Sequence, residues 1–587
     1  MEAFKNFVHT HAIGLAFAFF VGACAVIPSL VPPILLGADY HGIAFVANND
    51  ENAYRARIHE ILDGHLAVGS TNLYEHKDDK GVIPPIHEYL YAIPAFFFGL
   101  SGVIVFSKFL LPALLFFLVY RFVRSLGGEG DAYSRSILVW TAVAAGLFAS
   151  FGLDAGNIHQ QIDLLKGTHD AFASLSWTRL VNPIIGALEI LVFFLALLKV
   201  WKEKHRKATI VAGLTMALSV GYFFGFGIIA CTLGAAGLAA LFLRDMARVV
   251  RLATIGVIGI VCSLPYWILA LSAASGEEGR ILSERNGMYF THDAVVNKFL
   301  LLTTVFTLLS FCYAYFYKRY RDELSSWGFV FIVLSGSWIA LNQQVITGRA
   351  IWYYHFAQYT MPIGFIVLAV VGYLVWRRQF PRFYRVALTG GIVVSALLLV
   401  LTGLSYRYGM GDFKALQQHG DLFSFLNNEA PKDCVVFIKE ESDPAEPMIP
   451  AYTHCNVYST IYLFNGVPRD RTLHNFLLRM RLEGVTEADM HQYLLAHEPE
   501  IRHYFFDNWD QIFASGIDSW VEGRIVMLED AYRPFLKEDM KREMLMYRMD
   551  YFAVREPLPP SLFQQLPGLS LLKRFPDYYV YTFAVVE

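Results

Sequence analysis

The sequence predicts a polytopic α-helical membrane protein of about eleven transmembrane helices that ends in an extracytoplasmic α/β domain. Of its 587 residues, 55% are hydrophobic and 17% are charged, and the mean hydropathy is +0.41. A typical soluble domain has about 25% charged residues, whereas each membrane span needs about 20 mostly apolar residues. The net charge of −3 gives no overall basic surface for nucleic acid. We therefore expect the lipid bilayer, and not nucleic acid, as a partner.

Eleven apolar runs have the length of a membrane span. They lie near 12–36, 93–120, 134–152, 184–200, 208–223, 226–243, 252–273, 297–316, 327–342, 360–376 and 386–405. Basic stretches flank the region 208–243 on both sides, and basic loops stay cytoplasmic. An even number of crossings must lie between them, so we predict two helices joined by a turn at Gly221, Gly225 and Gly227.

The remaining basic connections follow the second, eighth and tenth runs, and all fall on one side if the N-terminus is cytoplasmic. Four longer loops then face outward, near 37–92, 153–183, 274–296 and 343–359. Everything after Tyr406 faces outward as well. We expect a transmembrane domain over 1–405, with a first outer loop near 37–92, and an extracytoplasmic domain over 406–587. The compact loops and the absence of a C-terminal retention signal favour a bacterial plasma membrane.

The outer C-terminal segment is richer in charge and predicts a small α/β fold. The stretches 434–438 and 578–582 read as strands, and Thr486 with Asp489 resembles a helix N-cap. Cys434 and Cys455 both lie in this domain. They form either a disulfide, which can persist outside the cytoplasm, or two separate thiols.

The first outer loop carries the most informative pattern. Tyr54, Ile58, Ile61 and Leu62 form one apolar face of a helix that we expect to lie along the membrane surface. Acidic residues at 50 and 51 precede that helix, where its dipole keeps a carboxylate ionised, as a general base requires. The alternative is that Asp50 is only an N-cap and its neighbour only a first-turn acid.

This loop resembles the first-loop signature of the GT-C glycosyltransferases, which include the protein O-mannosyltransferases and the aminoarabinose transferases of lipid A. The similarity rests on the acidic pair, then Tyr54, Arg-Ile at 57–58, Glu-Ile-Leu at 60–62 and Gly-His at 64–65. It continues through the Pro-containing segment 83–90 that enters the second span. The long first loop, the number of spans and the outer C-terminal domain also fit this family.

The resemblance implies transfer of a hexose or pentose from a polyprenyl-phosphate donor to a lipid, glycan or protein acceptor, with inversion at the anomeric carbon. Asp50 matches the family's acid that activates the acceptor, and Glu51 matches the second acid. A carboxylate is needed on one side of the sugar and cations on the other, where the phosphate leaves. The predicted substrate-binding residues are Tyr54, Arg57, Lys77, Lys80, His87, Arg179, Arg285, Arg349 and His355.

For each of these cations the alternative is a side chain that extends to the lipid head groups. Arg179 and Arg349 differ from the others because polar residues surround them in the sequence. The first-loop histidines match no strong metal-ligand spacing. We therefore assign no metal site and no certain cofactor, although a divalent cation stays open.

Two other functions compete with the transferase. One is a transporter or flippase of lipid-linked glycans, and the other is a non-catalytic envelope protein. A transporter favours internal repeats and broken helices at mid-membrane, and the sequence shows no repeat. Substitution of Asp50 should inactivate an enzyme but not a transporter or a scaffold.

Overall fold

The computed structural model describes residues 2–583 except 47–49, 80, 82, 128–131, 153–157, 169–172, 274, 317–323, 441–442 and 461–466. The helices up to residue 404 are α1 (Glu2–Leu36), α2 (Asp50–Asp63), α3 (Tyr89–Phe98), α4 (Leu100–Leu126), α5 (Ala132–Ser150), α6 (Ile158–Lys166), α7 (Ile184–Lys202), α8 (Arg206–Leu218), α9 (Phe223–Phe242), α10 (Met246–Ala273), α11 (Gly276–Arg285), α12 (Lys298–Phe316), α13 (Leu324–Leu341), α14 (Gln344–Thr347), α15 (Ala357–Val371), α16 (Arg377–Gln379) and α17 (Pro381–Leu404). A short antiparallel ribbon, β1 (Met288–Tyr289) with β2 (Ala350–Ile351), joins the segment after α11 to the segment after α14.

Eight helical segments in the described part of the chain are long and apolar enough to cross a membrane. They are α1, α4, α7, α9, α10, α12, the stretch from α15 through α16, and α17. The predicted spans are thus confirmed at eight positions by length and composition. At the other three predicted spans, the structure has helices α5, α8 and α13. These helices are not both long enough and apolar enough to count as spans; α8, for example, has 13 residues.

The membrane helices share one large apolar core, in which α4 is central and packs against α1, α5 and α7. The predicted division of 208–243 into two helices is confirmed, with Gly221 in the turn before α9. The prediction was wrong for Gly225 and Gly227, because both lie inside α9. A Cβ on Gly225 would stand 3.4 Å from the Cα of Gly186. Close packing of α9 on α7 explains this glycine better than a turn does.

The C-terminal part of the chain is an α/β unit. Its elements are α18 (Met410–Leu416), α19 (Gly420–Asn428), β3 (Val435–Ile438), α20 (Ile449–Tyr452), β4 (Asn456–Val457), α21 (Arg469–Leu482), α22 (Met490–Ala496), α23 (Glu498–Phe505), α24 (Asp510–Phe513), α25 (Ser519–Phe535), α26 (Met540–Met544), β5 (Tyr551–Val554), α27 (Pro560–Gln565), β6 (Leu569–Arg574) and β7 (Tyr579–Phe583). Both predicted strands are confirmed, as β3 and β7. The sheet has the order β4-β3-β5-β7-β6, and β3 is parallel to both of its neighbours.

All four residues of β3 are buried, as an apolar strand covered on both faces must be. A helix follows the predicted cap, but the prediction of Thr486 as the cap was wrong. The N-cap of α22 is Asp489, which makes no side-chain capping bond, and the Thr486 hydroxyl donates to the Asp489 carboxylate at 2.6 Å. Cys434 and Cys455 form a disulfide that ties the start of β3 to the residue before β4.

Contacts between the C-terminal unit and the loop between α1 and α3, here called the first loop, hold α2 in place. The Arg55 guanidinium donates to the Ala451 carbonyl at 2.9 Å and lies 4.0 Å from the centre of the Tyr452 ring. The Val457 amide donates to the Asn72 carbonyl at 2.9 Å. The first loop therefore lies between the membrane helices and the C-terminal sheet.

Candidate functional site

Helix α2 begins at Asp50 and carries the residues singled out in the first loop. The expected surface helix is more buried than its sequence indicates. Ile58 and Ile61 pack into the membrane core, but the polar residues Arg55 and Glu60 are buried too. The C-terminal unit and the rest of the loop cover the face that sequence periodicity assigned to water. Charged side chains on that face consequently need partners, and each has one.

Asp50 forms an ion pair with Arg179 at the first turn of α2. Half of the Asp50 side chain remains exposed, against 20% for Arg179. A proton acceptor and a potential anion-binding group thus stand side by side, in reach of solvent, just before α7.

Glu51 points away from this pair and into the protein. Its carboxylate accepts from the Lys108 ammonium of α4 at 2.6 Å, and both side chains are buried. Neighbouring positions on a helix face different directions, so the two acids of the first-loop motif belong to separate environments. Glu51 is an ion-pair partner within the protein, whereas Asp50 faces the open side.

Tyr54 and Arg57 follow Asp50 by about one and two turns of α2, so they lie near its side of the helix. Burial raises the pKa of Tyr54 to about 12, so its hydroxyl stays protonated. The Arg57 guanidinium donates to Glu88 at 2.6 Å and to the Ile83 carbonyl at 2.7 Å. These bonds tie α2 to the Pro-containing segment before α3.

His87 lies in that segment and is fully buried. Its Nδ1 donates to the Asn182 side-chain oxygen at 3.0 Å, and its Nε2 lies 3.3 Å from a Glu189 carboxylate oxygen of α7. Burial lowers the pKa of His87, but the Glu189 charge and the hydrogen bonds outweigh it and leave the pKa above its usual value. Because His87 is enclosed, its direct effect is on the position of Asn182 and the start of α7, next to Arg179.

His355 is brought to the same region, and Arg349 is not. The His355 ring stacks on Phe224 with centroids 5.0 Å apart. Burial, together with the Arg179 charge, lowers the pKa of His355 to about 4, so the ring is neutral at pH 7. Arg349 is exposed, and its guanidinium lies 6.0 Å from the Phe290 ring centre. It takes no part in the Asp50 cluster.

Two other predicted phosphate-binding cations are enclosed at contacts with the C-terminal unit. Lys77 is 2% exposed and lies 2.5 Å from Asp433 and 3.3 Å from Glu60. Arg285 is buried, donates to the Tyr504 carbonyl at 2.8 Å, and has its pKa lowered by burial to about 10. These contacts make both residues structural. Lys80 lies outside the described residues.

Sequence reasoning missed three charged residues of this region and named Asn182 only as a polar neighbour of Arg179. The three lie at the edge of, or inside, an apolar span: Glu88, Lys108 and Glu189. Ionisable groups in spans are costly and mark functional or paired sites. That signal was readable for Lys108 and Glu189, which fall within the predicted spans 93–120 and 184–200.

No metal site can be assigned among the described residues. The first-loop histidines instead pair with carboxylates, as in His59 with Asp63 and His65 with Asp78, both at 2.9 Å. One group has metal-ligand proximity, formed by Cys434, His454 and Cys455. Its two sulfurs are joined to each other as a disulfide, which removes the thiolates that a metal would need.

Apolar spans, a polar cluster at one end of them and an α/β unit over that end define an integral membrane protein of the polytopic α-helical class. The sequence matches no protein-family model and no curated protein. Among solved structures, it is similar to ArnT from Cupriavidus metallidurans bound to undecaprenyl phosphate, with 12% identity and a TM-score of 0.46 over 99% of this chain and 98% of that one.

It is also similar to the archaeal oligosaccharyltransferase AglB from Archaeoglobus fulgidus in complex with an inhibitory peptide and a dolichol-phosphate. Identity is 12% and the TM-score 0.42, over 92% of this chain and 69% of that one. Because TM-scores and identities are this low, the similarity carries no argument about chemistry, which must come from the residues of this chain.

Proposed function

We propose that the protein is an inverting glycosyltransferase that moves a sugar from a polyprenyl-phosphate donor to an acceptor on the non-cytoplasmic face of its membrane. The observation that carries this proposal is the Asp50–Arg179 ion pair, which is partly open to solvent. It combines the two groups that such a transfer needs, a carboxylate base and a cation for the leaving phosphate.

Asp50 accepts the proton of the acceptor's nucleophile, and that nucleophile forms its new bond to the anomeric carbon. The bond from this carbon to the phosphate oxygen breaks, and its electron pair leaves with the phosphate. Arg179 stabilises the growing negative charge, since its planar guanidinium can bond two phosphate oxygens at once. Binding of the phosphate to Arg179 also weakens the ion pair between Arg179 and Asp50, so that the carboxylate can accept the proton when the donor is present.

The surrounding residues support this arrangement. The buried, protonated Tyr54 hydroxyl and the neutral His355 ring offer uncharged contacts next to the pair. His87 and Arg57 act as positioning residues. Arg57 joins α2 to the segment before α3, and His87 joins that segment to the start of α7. The proposal includes a cytoplasmic N-terminus, an extracytoplasmic C-terminal unit and a bacterial plasma membrane as the location.

The test is sugar transfer from polyprenyl-phosphate hexose and pentose donors by purified protein in nanodiscs. Asp50→Asn keeps the side chain's shape but removes the base, so turnover should fall by roughly 100- to 10,000-fold. The matched control is Asp63→Asn, at the other end of α2, where the carboxylate pairs with His59. Near-normal turnover in Asp50→Asn, with the wild type active, would exclude Asp50 as the base. A wild type that transfers no sugar would favour the transporter or scaffold functions.

A further inference from the structure

A cleft lies beside the first turn of α2 and is lined by neither Asp50 nor Arg179. Its walls come from the end of α1, the start of α4, the loop before α2, and α2 itself. Glu51 and Lys108 line both this cleft and a second one, which also lacks Asp50 and Arg179. The proposed reaction assigns no role to either cleft.

The upper part of the first cleft is polar and has one unsatisfied group. The Asn52 side chain is 7% exposed, lines the cleft, and has no hydrogen-bond partner for its Oδ1. A buried acceptor without a donor destabilises the folded protein. A bound hydroxyl or amine would remove that destabilisation. Ser29 and Ser101 add two more hydroxyls to the lining.

The cleft also has a net positive charge. Lys108 and Arg55 are its two cations, and Glu51 is the one carboxylate among its lining residues. Arg55 bonds the Ala451 carbonyl and the Ser101 hydroxyl, neither of which is charged. An ammonium has three N–H donors, and Lys108 uses one of them on Glu51. The charge and the donors favour an anionic ligand.

The lower part of the cleft is apolar and belongs to membrane helices. Ile104 and Val105 of α4 line it together with Leu180, and both α1 and α4 are spans. Leu30 of α1 is 47% exposed and Phe106 of α4 is 60% exposed. A ligand that satisfies both parts has an anionic head with a hydroxyl and a hydrocarbon chain.

We propose that this cleft binds an anionic phospholipid whose head group carries hydroxyls, such as phosphatidylglycerol. The phosphate accepts from Lys108, a head-group hydroxyl donates to the Asn52 oxygen, and a chain lies along Ile104 and Val105. This lipid site is separate from the Asp50–Arg179 site and does not depend on the proposed transfer activity.

The experiment is native mass spectrometry of the delipidated full-length protein, titrated with single lipids. Phosphatidylglycerol should bind best, because phosphatidylcholine lacks a net charge and phosphatidic acid lacks a head-group hydroxyl. Loss of one hydrogen bond in Asn52→Leu should weaken phosphatidylglycerol binding by roughly threefold to tenfold. The same variant should bind phosphatidic acid as the wild type does.

Val105→Trp fills the cleft and should abolish the bound lipid, while Val257→Trp, on an exposed face of α10, is the matched control. Melting temperatures show which variants are folded. Equal binding of phosphatidylcholine, or unchanged binding in Val105→Trp, would overturn the proposal. Binding of polyprenyl phosphate alone would assign the cleft to the carrier lipid and would also overturn it. Asp50→Asn should retain lipid binding, so failure of one proposal does not imply failure of the other.

Discussion

Asp50 and Arg179 are 129 residues apart in the sequence and form an ion pair at one end of the membrane helices. The first belongs to α2 and the second to the segment that leads into α7. Each charge neutralises the other in this structure. In the proposed transfer the pair links two steps, because the cation proposed to bind the phosphate is the ion-pair partner of the carboxylate proposed to accept the proton.

Replacement of Arg179 should impair transfer, even with lysine. A lysine keeps the charge but cannot form the two parallel bonds of a guanidinium. Hydrogen bonds to charged groups are worth about 1.5–3 kcal/mol, so kcat/KM should fall by roughly 10- to 100-fold in Arg179→Lys and further in Arg179→Ala. Arg349→Ala is the control, since that side chain is exposed and outside the cluster. Loss of activity in the control alone would move the phosphate site to Arg349.

Glu51 and Lys108 should behave as a stability pair. Removing one partner leaves an unpaired buried charge, which costs about 3–5 kcal/mol. Glu51→Gln and Lys108→Met should each lower the melting temperature of the protein in detergent. The double variant should recover most of that loss, because neither charge remains. Additive losses in the double variant would show that the two residues do not depend on each other.

Glu60 should make the contact between the first loop and the C-terminal unit depend on pH. Burial raises the pKa of Glu60 to about 7 from an ordinary value of 4.5, with Lys77 and His65 opposing the rise. Between these values the folded state holds more protons than the unfolded state, so stability should fall as pH rises. The slope is at most about 1.4 kcal/mol per pH unit.

Unfolding of wild type and Glu60→Gln at several pH values from 4.5 to 8 isolates this contribution. Stability of the variant should vary less across that range, since glutamine does not titrate. Glu483→Gln, an exposed carboxylate on the C-terminal unit, is the control. Parallel pH curves for wild type and Glu60→Gln would show that this carboxyl titrates normally.

The disulfide between Cys434 and Cys455 should stabilise the contacts that hold α2. Its neighbours are the residues that touch the first loop, since Asp433 pairs with Lys77 and Val457 bonds Asn72. A disulfide that closes a loop of this length is worth about 2–4 kcal/mol. The Cys434→Ala, Cys455→Ala double variant should show faster hydrogen exchange in residues 70–79. Replacing the exposed Cys262 and Cys312 should not.

The proposed orientation is tested by labelling single cysteines from each side of the membrane. Ser275 and Lys204 are both exposed, so Ser275→Cys should react from outside and Lys204→Cys only after the membrane is opened. Cys262 and Cys312 must first be replaced, because both are exposed. Labelling of both sites from the same side would refute the orientation.

The sequence alone determined the membrane class and most of the spans, and it predicted a functional site in the first loop. Bilayer thickness sets a span length that apolar runs must match, and this constraint is local in the chain. Strands β3 and β7 were predictable for a similar reason, since a short run of β-branched and aromatic residues favours a strand. The acidic pair Asp50 and Glu51 was also visible in the sequence, as two neighbouring carboxylates at the start of an amphipathic helix.

Only the tertiary structure decided what each charge does. The sequence offered five similar cations for the phosphate, and the fold brings Arg179 to Asp50 while it encloses Lys77 and Arg285. It also separates the acidic pair, because a helix turns Glu51 inward to Lys108. These pairings join residues that are distant in the chain, and their partners depend on how helices pack. No local pattern encodes such a choice.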